Sequence, residues 1–142
     1  MTRPQVQIII PGEPVGKGRP RFAVVGGHAK AFTPKKTRDY EELIKWHYVQ
    51  QNGSFCFDKD DALSLEVLAE MSIAPSNSKS VQQQKRTGEI RPMKKPDADN
   101  ILKAVQDALN GLAYPDDVQI VESHIVKRYS DAPGLNVLIR KV

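Results

Sequence analysis

The sequence holds a single cysteine, Cys56, in 142 residues. One thiol excludes an internal disulfide and any zinc cage built from several cysteines. With Phe55 and Phe57 beside it, Cys56 reads as a small apolar residue near a strand or turn. His28, His47 and His124 are well separated and share no metal-ligand spacing, so zinc has no candidate site. Also missing is any apolar run near the roughly 18 residues of a membrane span, or a signal-peptide apolar region with a small-residue cleavage site. A cytoplasmic protein with no membrane partner is expected. No serine, nor the cysteine, has a readable base partner, so nucleophilic catalysis lacks support.

What is present fits one domain over residues 1–142, near the commonest domain size. Lys and Arg number 21 against 17 Asp and Glu, a formal +4 that leans modestly toward anionic partners. Val6, Ile8 and Ile10 alternate with polar neighbours and predict an opening strand. Residues 12–21 are too rich in Gly and Pro for a helix and read as a loop. Phe22 to Phe32, broken by Gly26-Gly27, suggests a hairpin. Tyr40, Leu43, Ile44 and His47 recur at helical spacing between Thr37 and Gln51, and Trp46 among them suggests partial burial. Leu63, Leu65, Val67, Ala69, Met71 and Ile73 give the clearest period of two, a long strand.

Pro75 to Pro96 carries six basic residues against the single acid Glu89 and has almost nothing to bury; it reads as a mobile basic loop. Ile101, Leu102, Val105, Ala108, Leu109 and Leu112 form an apolar stripe of helical period, with Asp99 or Asn100 as cap and Gly111 as stop. Strands are expected over Val118 to Lys127 and around Leu135, Val137 and Ile139. The resulting class is α+β, a two-layer α/β sandwich in which one mixed sheet carries two main helices on one face.

Acid is concentrated inside this basic chain. Residues 97–122 hold Asp97, Asp99, Asp107, Asp116, Asp117 and Glu122, with Lys103 their one base. Asp97 and Asp99 are two residues apart where a loop runs into a helix, so an extended backbone points both carboxylates to one side. Asp116-Asp117 precedes the next strand, and a helix-to-strand return is able to bring that pair near the first. Crowded carboxylates repel unless a cation compensates them, and a hard divalent ion does so economically. The plainer alternatives are helix capping for Asp97 and Asp99 and turn formation for Asp116 and Asp117. An EF-hand is excluded, since counting from Asp97 puts Leu102 where glycine is needed and Ala108 where glutamate is needed. A carboxylate-bound metal can activate water and neutralise charge on a phosphodiester. Lys103, one helical turn beyond Asp99, either serves that chemistry or forms an ordinary helix ion pair with Asp99 or Asp107.

Lys95-Pro-Asp97-Ala-Asp99-Asn100-Ile-Leu-Lys103, then Asp107-Ala-Leu-Asn110-Gly111, then Asp116-Asp117-Val-Gln119-Ile120, resembles the RusA family of Holliday junction resolvases. Pro14-Val-Gly-Lys17-Gly-Arg19-Pro20-Arg21 and Thr33-Pro-Lys35, leading to Tyr40-Glu41, are similar to that family as well. The resemblance implies Asp97, Asp99 and Asp117 as catalytic carboxylates and metal ligands, and Lys103 as an essential basic residue. Asp107 and Asp116 are secondary candidates. It further implies Mg2+, with Mn2+ as substitute, and a homodimer, often prophage-encoded, that makes paired nicks in a four-way DNA junction.

Lys17, Arg19 and Arg21 stand on alternate positions and in extended chain would present a row of charge to phosphate. Lys35, Lys94 and Lys95 are further candidate DNA contacts. Two other functions fit the same residues: a less selective endonuclease of flaps or single strands, and a non-catalytic DNA-binding protein whose carboxylates hold a structural metal.

Overall fold

The computed structural model describes residues 5–142. Strand β1 (Gln5–Pro11) buries Val6, Ile8 and Ile10 on one side, as their alternation requires. A loop leads to the hairpin β2 (Arg21–Val25) and β3 (His28–Phe32), which turns on Gly26 and Gly27 at φ of 60° and 81°. Positive φ at both central residues matches the twist of the strands and is strained for any side chain but tolerated by glycine.

Helix α1 (Lys35–Asn52) buries Thr37, Tyr40, Ile44 and Tyr48, a stripe of spacing three and four. Leu43 and Trp46, expected on that stripe or partly buried, lie outside it: Trp46 is 57% exposed. Strand β4 (Leu63–Ser72) follows, then α2 (Lys79–Thr87), α3 (Ala98–Leu109), a single 3-10 turn at Asp117–Gln119, β5 (Ile120–Ser130) and β6 (Gly134–Lys141).

The main sheet has the order β1-β6-β4-β5, with β6 antiparallel to both neighbours and β4 parallel to β5. Register places Val67 beside Val137 and Val137 beside Ile8, so three strands present one continuous apolar face. Helices α1 and α3 cover it. Ile101 and Leu109 of α3 are fully buried in the same core, each such side chain contributing roughly 1.5–3 kcal/mol. The α+β class with helices over a mixed sheet is therefore the observed one.

The segment 75–96 differs from the loop expected of it. Its centre is α2, capped by Ser78, whose hydroxyl accepts from the Val81 N–H at 3.2 Å, and stopped by Gly88 at φ 87°. Lys85 and Arg86 in the last turn complement the helix dipole. No residue of α2 is buried, so there was no apolar stripe to read. The helix is held instead by the Arg86–Asp131 ion pair at 3.0 Å and by the Lys85 ammonium 4.4 Å above the Tyr129 ring. Cys56 is also more exposed than its aromatic neighbours suggested, and burial of the thiol together with Asp58 raises its pKa.

Candidate active site

Two glycines thread the loop after β1 between the starts of α1 and α3. A side chain on Gly16 would put its Cβ 2.9 Å from Pro96 Cβ and 3.0 Å from Asn100 Cβ; one on Gly18 would lie 2.9 Å from Thr37 Oγ1. Only the absence of Cβ allows this approach. Backbone hydrogen bonds then fix it, from Lys17 N–H to the Asn100 carbonyl at 2.8 Å and from Gly18 N–H to Thr37 Oγ1 at 2.9 Å. The basic loop is thereby pinned beside the turn that carries Asp97 and Asp99.

That pinning redirects Lys17. Expected to align with Arg19 and Arg21, it instead places its ammonium 2.8 Å from Glu41 of α1 and 3.2 Å from Asp107 of α3. Burial alone lowers its pKa, but the hydrogen bonds and charges of Glu41 and Asp107 outweigh that and leave it raised. Arg19 and Arg21 remain exposed, with no ion pair among the described residues. The row required all three side chains to be free, and Glu41 and Asp107 hold that of Lys17.

Asp97 occupies the N-cap position of α3, yet its carboxylate makes no capping hydrogen bond. Asp99 sits in the first turn, exposed. Four residues on, Lys103 reaches Asp107 at 2.9 Å rather than Asp99. Asp107 thus holds two ammonium groups, Lys17 and Lys103.

After α3 the chain returns through Tyr114, which is fully buried and donates from its hydroxyl to the Gln106 carbonyl at 2.9 Å. Burial raises the Tyr114 pKa strongly, with the negative charges of Asp117 and Asp107 adding to it. Both carboxylates therefore lie within electrostatic reach of one phenol. Gln119 then clamps the turn: its amide donates to the carbonyls of Asp58 at 2.8 Å and Asp61 at 3.1 Å, while its Oε1 accepts from the Asp116 N–H at 3.1 Å. The Asp116 carboxylate accepts from the Val118 N–H at 3.1 Å. This reciprocal cap is the Asp-x-x-Gln spacing already visible in the sequence. The structural roles of Gln119, Tyr114 and Gly16 were missed: the bonds of Gln119 to Asp58 and Asp61 and the approach of Gly16 to Pro96 and Asn100 join segments far apart along the chain, and the Tyr114 bond depends on how the chain returns after α3.

Of the six acidic residues in 97–122, Glu122 stands exposed on β5 without an ion pair among the described residues, and the five aspartates separate into two groups. Asp107 and Asp116 are engaged by protein groups. Asp97, Asp99 and Asp117 have no side-chain hydrogen bond or ion pair among the described residues, so neither of the first two makes a capping hydrogen bond, while Asp99 keeps a first-turn place that the helix dipole favours. Their donor chemistry, hard carboxylate oxygen, suits Mg2+ or Mn2+. Among the described residues, however, no three His, Cys, Asp or Glu side chains converge closely enough to hold an ion.

Of the other candidate DNA contacts, Lys35 pairs with Asp39 at 2.6 Å and is well exposed. Lys94 extends its ammonium to 5.7 Å from the Tyr129 ring, and Lys95 is exposed. No helix among the described residues is long and apolar enough to cross a membrane.

The chain is 34% identical over 137 residues to a protein of Bacillus subtilis (strain 168) named "Uncharacterized protein YqaN", covering 96% of each chain. The family description "Endodeoxyribonuclease RusA" matches residues 11–140, a span that takes in the basic loop, both acidic pairs and the helix between them. The chain belongs to the RusA endodeoxyribonuclease family, enzymes that hydrolyse DNA.

Proposed function

We propose that this protein is a divalent-metal-dependent Holliday junction resolvase, a homodimer that nicks two strands of a four-way DNA junction symmetrically in recombination and repair. The observation that carries the reading is the division of the aspartates: those at Asp97, Asp99 and Asp117 have no side-chain hydrogen bond or ion pair among the described residues, while Asp107 and Asp116 do. Unpaired carboxylates beside a basic loop are costly on a surface meant for DNA unless a cation joins them.

In this reading Asp97, Asp99 and Asp117 hold Mg2+, with Mn2+ as substitute. When bound, the ion supplies Lewis-acid charge that makes water a better nucleophile and offsets charge on the scissile phosphate. Lys103, tethered by Asp107, orients the nucleophile or meets that phosphate. Arg19, Arg21, Lys35, Lys94 and Lys95 contact the DNA backbone. Lys17 serves by holding the loop in place, its ammonium already engaged by Glu41 and Asp107.

The test is cleavage of a labelled four-way junction, its linear duplex and a single strand, with magnesium and with excess EDTA. Junction-selective, magnesium-dependent cutting is expected. Equal cutting of all three substrates identifies a less selective nuclease, and binding without cutting identifies a DNA-binding protein with a structural metal.

A further inference from the structure

Every residue of the β2–β3 hairpin is exposed. Its register sorts the side chains into two faces. Phe22 opposes Ala31 and Val24 opposes Ala29, so these four share one face, which has no polar side-chain atom. Arg21, Ala23, Val25, His28, Lys30 and Phe32 share the other. Phe22 is 74% and Val24 78% exposed. A two-stranded hairpin covered on neither face is marginally stable at best in water. A wholly apolar sheet face in solvent marks a contact surface.

We infer that the apolar face of the hairpin docks against the same face of a second copy of this chain, leaving the face with Arg21 and Lys30 to the DNA. The inference rests on the homodimer proposed above and assigns it a surface. Charge separates the two occupants. Phosphate gains from the face bearing Arg21 and Lys30 and gains nothing from Phe22, Val24, Ala29 and Ala31. Shape favours a second copy in particular. Strand β2 supplies the bulky pair, Phe22 and Val24, and β3 the small pair, Ala29 and Ala31. A two-fold axis parallel to the strands, midway between two stacked hairpins, sets β2 of one copy over β3 of the other. The bulky column of each then fills the alanine column of its mate, the self-complementarity that an isologous interface demands. Four side chains per copy form only part of a stable interface, so their loss weakens the dimer rather than abolishing it.

The experiment is sedimentation velocity on the full chain, wild type and Val24→Glu, with junction binding measured in parallel. Cross-linking of single-cysteine variants in a Cys56→Ser background accompanies it, because it reads proximity even where Val24→Glu disturbs the hairpin. Val24→Glu is expected to raise the dimer dissociation constant about tenfold or more. A short bis-maleimide is expected to give covalent dimers from Val24→Cys, on the apolar face, and none from Ala23→Cys, on the other. A wild-type monomer at all concentrations, with and without junction, overturns the homodimer itself. A wild-type dimer that survives Val24→Glu unchanged and gives no cross-link at Val24→Cys overturns the docking surface alone. If the dimer survives Val24→Glu but junction binding is lost, the face belongs to DNA and the inference fails.

Discussion

Lys17 and Asp107 are joined at 3.2 Å across the gap between the basic loop and α3, and the same ammonium reaches Glu41 of α1 at 2.8 Å. One lysine therefore ties three segments around the acidic centre. Lys17→Ala leaves Glu41 without its cation and Asp107 with Lys103 alone, and the expected loss of stability is about 1.5–3 kcal/mol, the scale of hydrogen bonds to charged groups. Its pKa is raised above the ordinary 10.5, so its contribution is complete below that pH and is lost as pH rises through the folded value. Denaturant melts of wild type and Lys17→Ala should differ by a constant amount at neutral pH and converge above about pH 10.5.

Gly16→Ala tests the close approach at the start of α3. The added Cβ would meet Pro96 and Asn100 at 2.9 and 3.0 Å, distances the backbone must relieve by moving. Because Asp97 and Asp99 lie between those two residues in the chain, cleavage should fall at least tenfold, on the order of what a small misplacement of reacting groups produces. The melting temperature should shift far less than for a core truncation. An unchanged single-turnover rate would show that the loop does not position the carboxylates.

Lys103→Ala separates chemistry from an ordinary helix pair. The ion pair with Asp107 is exposed on the lysine side and is worth only about 0.3–0.5 kcal/mol to the helix. A variant that melts like wild type, binds junction and loses turnover places Lys103 in the reaction. Retained turnover assigns it to the helix surface.

Arg19 and Arg21 are expected to touch phosphate, whereas Lys17 is not. Substituting both arginines by alanine should weaken junction binding and flatten the dependence of log K on log salt by roughly 0.9 for each phosphate left without its cation. Lys17→Ala should leave that slope nearly unchanged. Binding isotherms between low and moderate salt give both slopes.

Elements with one buried stripe were legible from residue type alone. The alternation of Val6, Ile8 and Ile10, the long β4 pattern and the α3 stripe around Ile101, Val105 and Leu109 each became a buried face. Helix α2 was not legible, because its stability comes from Ser78, Gly88 and contacts to Asp131 and Tyr129 rather than from burial. The sequence showed the candidate carboxylates at the start of α3 and at the turn after it, but not how far apart the fold leaves them: among the described residues no three converge closely enough to hold an ion. What the sequence could not show was their sorting. Whether a carboxylate is occupied depends on partners distant along the chain, as when Lys17 selects Asp107, or on a local turn, as when Val118 takes Asp116. The reach of Lys17 in turn depends on two glycines whose value lies in what they lack.

The central claim is that Asp97, Asp99 and Asp117 serve the chemistry and not the fold. Single-turnover cleavage of a four-way junction in magnesium, with junction affinity and melting temperature measured on the same preparations of wild type, Asp97→Asn, Asp99→Asn and Asp117→Asn, tests it most directly. Each variant is expected to stay within about 0.5 kcal/mol of wild-type stability, to bind junction as well or better because phosphate repulsion falls, and to lose cleavage. Wild-type cleavage in any one of the three would contradict the account at that residue, and wild-type cleavage in all three would contradict it altogether.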